Sequence, residues 1–331
     1  NPQRQPTFVL MRGQYDKPGE EVEVGIPASL TGGTDRQVRS RLEMASWLVD
    51  GSNPLTARVI VNRFWYQYFG RGLVRTLEDF GSQGDLPTHP QLLDWLAMEF
   101  IESGWDVKAM QRLIVTSATY QQSSAVDERQ LSVDPANLLL ARAPRLRLQA
   151  EMIRDQALAS SGLLVGTIGG PSVKPYQPEG LWKEIASQVY VRDDAEKLYR
   201  RSLYTFWKRT VPPPMMMTFD AASRETCILS RSRTNTPLQA LALLNDVTFV
   251  EAARALAGEM LARGGSSPGD KLAWGFRQLT SRWPSDREHA ILLKALQRSL
   301  ARYQADQESA LKLVGFGELK VPAGIDPVQL A

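Results

Sequence analysis

The chain predicts a mainly α fold: an irregular helical domain with a small β element and two long ordered loops. Three observations carry this. Apolar residues recur at helical spacing through most of the chain, and capping boxes mark where several of those helices begin. Only two short segments, 7–12 (TFVLMR) and 201–207 (RSLYTFW), are β-prone. Two stretches, 166–180 and 211–235, are dense in Gly and Pro or in mixed Pro, Met and Arg, and fit no periodic element.

In chain order, 7–12 reads as a strand and 14–29, rich in Gly, Pro and Glu, as loop. Residues 36–49 show helical spacing through Leu42, Ala45, Trp47 and Leu48. Asn53-Pro54 is an N-cap with proline at the first helical position, and it opens a helix ended by Gly70 and Gly72. Capping boxes are expected at Thr88–x–x–Gln91, Thr236–x–x–Gln239 and Ser285–x–x–Glu288, where a hydroxyl and a Glu or Gln satisfy backbone N–H groups reciprocally. Helices are expected over 106–117 and 148–161, and Gly104 and Gly162 sit where helix C-terminal glycines belong. Segment 201–207 is expected to pair with 7–12 in a small sheet. The expected organisation is 1–30 as linker and short strand, 31–265 as the main helical body with its two loops, and 266–331 as a helical subdomain. Asn1 opens a polar, proline-bearing heptad, so the chain reads as a fragment of a longer protein.

Composition narrows the function classes. No apolar run is long enough for a transmembrane helix. A net charge of +3 is too small to argue for nucleic acid. Cys227 is the single cysteine and His89 and His289 the two histidines, which leaves no intrachain disulfide, no Cys-x-x-Cys-His haem attachment and no multi-cysteine or His-rich metal site.

Residues 56–81 interleave Arg58, Asn62, Arg63, Trp65, Tyr66 and Arg71 with an apolar stripe, more polar variety than a helix needs in order to fold. Asn62, Arg63, Trp65 and Arg71 form either a polar pocket for a hydroxyl-rich or anionic ligand or a buried knot tied to loop carbonyls and to Glu78 or Asp79. Arg12, beside Gly13, Asp16 and Gly19, is either an anion-binding turn or a loop clamp. Asp220, Arg231, Asn245 and Asp246 surround the second long loop where it runs into a capped helix, and serve either a ligand or loop closure. Asp246 can also cap the following helix. Glu151 and Asp155 lie one turn apart, but Arg147 and Arg154 beside them work against a general acid. Cys227 with His89 is a weak nucleophile–base pair, and Met215–Met217 more readily fill an apolar gap than ligate a haem.

Several quoted motifs stand together in order: FVLMRGQYDKPGEEV (8–22), NPLTARVIVNRFWYQYFGRGLV (53–74), FGSQGDLPTHPQLLDWLAMEFIESGWDVK (80–108), LIVTSATYQQSS (113–124) and RTNTPLQALALLND (233–246). With them the chain resembles, over nearly its whole length, the C-terminal domain of unknown function of large secreted planctomycete-type proteins. The resemblance implies an extracytoplasmic location, periplasmic or secreted. It also implies partners upstream in the same polypeptide, a cytochrome-c-like domain and a companion domain, with haem c carried there and no cofactor here. It implies one further helix past Ala331 and no known reaction. The expected function is an accessory or substrate-binding module of a secreted haem-c-linked oxidoreductase. The alternative is a non-catalytic carbohydrate-binding or scaffolding domain, with Trp65, Tyr66, Trp182 and Trp207 as its platform. In the first reading the Asn62/Arg63 and Asp220/Arg231/Asn245 clusters line one cleft.

Overall fold

The computed structural model describes residues 5–33, 36–38, 40–185, 189–321 and 324–331. Residues 1–4 of the expected linker lie outside them. The fold is mainly α, and the chain divides into two compact units, Asn1–Leu146 and Arg147–Ala331.

The first unit opens on a hairpin of β1 (Thr7–Leu10) and β2 (Pro18–Val22), with Thr7 opposite Val22 and Leu10 opposite Pro18. The chain reverses through a single 3-10 turn, Met11–Gly13, in which Arg12 (φ 53°) and Gly13 (φ 72°) both take left-handed backbone. Strand β1 therefore pairs locally, and the predicted loop 14–29 holds β2 and also β3 (Gly25–Ile26), which pairs with β4 (Arg36–Gln37). The expected partner, 201–207, is no strand: Ser202–Tyr204 is a 3-10 turn, and Thr205 touches Val173 in an isolated bridge. Its neighbouring carbonyls are spent elsewhere, because the Arg154 guanidinium takes those of Leu198 (2.5 Å) and Arg200 (2.9 Å).

Helix α1 (Arg41–Leu48) is capped by Ser40, whose Oγ accepts from Glu43 N at 3.2 Å, and it buries Trp47 against Ile26 and Val38. Helix α2 (Thr56–Phe69) starts two residues later than the Asn-Pro signal predicts. Asn53 still caps it, accepting from Leu55 N (2.9 Å) and Thr56 N (3.0 Å). Ala57, Val61, Trp65 and Phe69 recur every fourth residue and are buried, so they form one stripe. Each large side chain of that stripe contributes roughly 1.5–3 kcal/mol by leaving water. The stripe meets α3 (Pro90–Glu102) through Leu93, Leu96 and Phe100, and α4 (Val107–Val115) through Met110 and Ile114. The Thr88 capping box does not form. Thr88 turns its hydroxyl and its N–H to the Leu73 carbonyl, and α3 begins on Pro90, which has no N–H to satisfy. A short α5 (Glu128–Val133) is closed by an Asp127–Gln130 capping box.

In the second unit, α6 (Ala150–Ser160) packs on α8 (Pro214–Thr218) and α10 (Val247–Arg263). The short α7 (Leu181–Ile185) follows the first long loop, and α8 lies within the second. Helix α9 (Pro237–Asn245) begins with the predicted Thr236–Gln239 box. Asp246 then breaks it from α10 and caps α10 by accepting from Thr248 N at 2.9 Å. Helices α11 (Pro268–Thr280), α12 (Asp286–Ala305), α13 (Gln307–Val314) and α14 (Pro327–Leu330) finish the unit, with boxes at Ser267–Asp270 and the predicted Ser285–Glu288. Among the described residues no helix is long and apolar enough to cross a membrane.

Candidate functional site

The second unit buries three charged side chains on helix faces that ought to be apolar. On α6, Ala150, Arg154 and Leu158 lie at i, i+4 and i+8, and all are at most 1% exposed. Arg154 is held by the carbonyls of Leu198 and Arg200 and by Ser202 Oγ (3.3 Å). On α10, Glu251 is fully buried. Its Oε1 accepts from Tyr176 Oη (3.0 Å), Glu318 N (2.5 Å) and Leu319 N (2.7 Å), and its Oε2 from Tyr199 Oη (3.1 Å). Gly317 (φ 90°) lets that loop approach: a Cβ there would stand 2.2 Å from Glu251 Oε1. Arg254 reaches the carbonyls of Val314, Phe316 (3.1 Å) and Leu319 (2.6 Å). Burial, with the carboxylate beside them, raises the Tyr176 and Tyr199 hydroxyls well above the ordinary tyrosine range. These three groups replace a sheet: they pair carbonyls and amides of irregular chain that has no ladder of its own.

Beside Arg154 lies a cavity of about 280 Å³. Its wall is mostly apolar: Pro175, Pro178, Pro213 and Pro214, then Met215 and Met216 from α8. Leu238, Leu241 and Ala242 of α9 complete that part. The polar part is Arg154, Thr205, Thr218, Asn245, Asp246, the Thr248 turn of α10 and Tyr176, whose hydroxyl is engaged by Glu251 and Glu318 N. Most of these groups are occupied. Asn245 Nδ2 donates to Leu241 O (2.8 Å), and Thr218 Oγ1 donates to Pro214 O (3.0 Å). Three retain capacity: Asn245, exposed at the cavity mouth, keeps its Oδ1 acceptor, and the other two are Thr205 and Asp246. Thr205 is 7% exposed, and its buried hydroxyl has no hydrogen-bond partner among the described residues. Asp246 takes hydrogen bonds from the N-terminus of α10, yet burial, the larger effect, raises its carboxyl above the ordinary aspartate value. Burial pushes the Arg154 guanidinium down, while Asp155 and then Asp246 pull it back.

The residues singled out in the sequence fall on both sides of the unit boundary. Asn62, Arg63, Trp65 and Arg71 belong to the first unit, and Asp220, Arg231, Asn245 and Asp246 to the second. Asn62 is buried and bonded to backbone on both its amide atoms: Nδ2 donates to Val74 O and Oδ1 accepts from Val74 N, both at 2.9 Å. Trp65 is 4% exposed and stacks on Phe69 at 4.1 Å, inside the core. Arg63 and Arg71 are half-buried, each with a buried Nε that finds no acceptor. Arg71 borders a cavity of about 50 Å³ with Phe69, Thr88 and Asn137, roughly the volume of one or two waters. Asp79 bonds Gly81 N (2.7 Å) rather than Arg63, and Glu78 is exposed. Arg12 is an exposed residue of the hairpin reversal.

Asp220 (φ 61°) closes its loop, accepting from Arg147 and from Thr234 N (2.8 Å) and Oγ1 (2.9 Å). Arg231 pairs with Glu151 at 2.7 Å, and Asp155 accepts from Ser202 N at 2.7 Å, so the two carboxylates of α6 are separately engaged. Of the predicted set, Asn245 and Asp246 share the 280 Å³ cavity. Cys227 is exposed. Among the described residues no group of three His, Cys, Asp or Glu gathers as metal ligands. The aromatic platform is not formed: Trp65, Tyr66 and Trp182 are buried, and Trp207 lies under the Arg224 guanidinium at 4.4 Å.

Thr205 is the site residue that sequence reasoning missed, and no local signal marks it. Arg154 had one: a cation in the middle of the Ala150/Leu158 stripe. No curated protein and no solved structure matches the chain. One family model does match, over residues 40–296, α1 into α12. The chain belongs to that family, PSD1, described as a protein of unknown function (DUF1553).

Proposed function

We propose that the second unit is a small-molecule-binding module whose ligand occupies the 280 Å³ cavity between α6, α8 and α9. The single observation behind this is that an unspent buried hydroxyl, Thr205, and a half-buried carboxyl, Asp246, line one mostly apolar cavity. A wall of that composition is what small-molecule sites have: mostly apolar, with a few polar groups that orient the ligand. In the setting that the resemblance implies, an extracytoplasmic protein with a cytochrome-c-like domain upstream, the module is the accessory part that holds an organic substrate. No step through the haem is assigned to these residues.

The test is a fragment screen by saturation-transfer NMR on the wild-type protein and on Ala242→Phe, which fills the cavity from the α9 side. Fragments should bind the wild type and be lost in the variant. A library with no hits, or hits indifferent to Ala242→Phe, would refute the module.

A second reading, an interaction module, rests on the outer face of α9, where Leu243 and Leu244 are 45% and 75% exposed. Replacing Leu243 and Leu244 by Gln should then abolish association with the upstream domains in a pull-down while leaving fragment binding intact.

A further inference from the structure

The polar inventory of the cavity restricts its ligand further, and this step rests on the binding-module reading above. The cavity has the liquid volume of about nine waters, which is room for one six-membered ring with a short substituent. The flat faces of four prolines and the soft thioethers of Met215 and Met216 suit the body of such a ring. The wall carries one guanidinium and one carboxylate, so it has no strong net preference for ligand charge. The guanidinium already donates to Leu198, Arg200 and Ser202, whereas the carboxylate, bonded by Thr248 and Phe249, keeps acceptor capacity for one more donor. An anion would face Asp246 with little left to receive it. A sugar would bring more hydroxyls than the three groups free to bond them, Thr205, Asp246 and the exposed Asn245 amide, and each hydroxyl left unmet against the apolar wall is penalised. One hydroxyl is matched: it donates to Asp246 and exchanges a bond with Thr205.

We propose that this cavity takes a neutral compound with one apolar ring and a single hydroxyl, a phenol or cyclic alcohol, and discriminates against sugars and carboxylates. Thr205 and Asp246 are its specificity-determining residues. Asp246→Asn keeps an N-cap residue of equal quality, and Thr205→Val keeps the side-chain shape, so both variants leave the unit folded.

The experiment is a titration of the whole chain, carrying 13C-methyl methionine, with 4-methylphenol, toluene, benzoate and glucose. It is read at the Met215 and Met216 methyls in the cavity wall. The expected result is a 4-methylphenol Kd on the order of 1 mM or tighter, about tenfold below that of toluene, with benzoate and glucose silent. Thr205→Val should bring 4-methylphenol to within about twofold of toluene without weakening toluene, and Asp246→Asn should admit benzoate. Glucose or benzoate shifting these methyls as strongly as 4-methylphenol overturns the ligand class but leaves a binding module. Equal affinity for toluene and 4-methylphenol removes the hydroxyl from the proposal. Silence from all four probes overturns the inference whether or not the fragment screen finds other ligands.

Discussion

Thr205→Val should stabilise the ligand-free protein. Thr205 is 7% exposed and its hydroxyl is buried without a partner, while its backbone N–H is satisfied by Ser202 O at 3.1 Å. The folded state therefore bears the desolvation of a hydroxyl, roughly 1–3 kcal/mol by mutational measure, with no bond to offset it. Valine removes that cost and keeps the β-branched shape, though an added methyl in a tight wall returns part of the gain. A net increase of about 1 kcal/mol follows. For a unit the length of Arg147–Ala331 this raises Tm by about 2–4 °C in calorimetry. Thr218→Val is the control: its hydroxyl donates to Pro214 O at 3.0 Å, so the same exchange should lower Tm by a similar amount. Should Thr205→Val destabilise as Thr218→Val does, the Thr205 hydroxyl is bonded in solution. The polar map of the cavity would then be wrong.

Three other outcomes follow from single groups. Asn62→Leu should cost the first unit about 3 kcal/mol in urea unfolding, since it removes two 2.9 Å bonds and strands the Val74 N–H and C=O in the core. Glu251→Ala should cost about 3 kcal/mol in the same assay, because it leaves the Tyr176 and Tyr199 hydroxyls and the Leu319 N–H without an acceptor, while the Glu318 N–H keeps Tyr176 Oη. Glu251→Gln should cost only ~1–2 kcal/mol, because the Tyr199 hydroxyl can turn and accept from the new amide. Asp246 sets a pH dependence of defined sign. Its folded pKa is raised above the ordinary 3.8, so its contribution to stability is complete below that value and is lost as pH rises through the folded pKa. Measured from pH 3.5 upward, Tm of the wild type should fall relative to Asp246→Asn, and parallel curves would remove Asp246 from the buried wall.

Local signals were legible, and long-range ones were not. The Thr236 and Ser285 boxes and the Asp246 cap formed as read, because a cap needs only residues within one turn. Thr88 had the same signature, but it is bonded to Leu73, fifteen residues away, and tertiary demand took the hydroxyl first. Strand β1 was correct as a strand and wrong in its partner, since its ladder was decided by the left-handed turn at Arg12-Gly13 and by the capture of the carbonyls near 201–207 by Arg154.

The same physics bears on what an arginine cluster means in this fold. A chain with long irregular loops has carbonyls that no ladder can pair, and a guanidinium with five donors is well suited to collecting them. Arg154, Arg200 and Arg254 all do so, with Arg200 bridging Thr167, Gly169 and Pro171. In such a fold an arginine reports on loop closure, and its charge says little about ligands. What sets the 280 Å³ cavity apart is a neutral hydroxyl left unsatisfied in its lining, on a residue whose own N–H has already been served. That condition depends on every neighbour at once, so Thr205 is invisible in the sequence, whereas Asp246 was found because the same carboxylate also caps a helix.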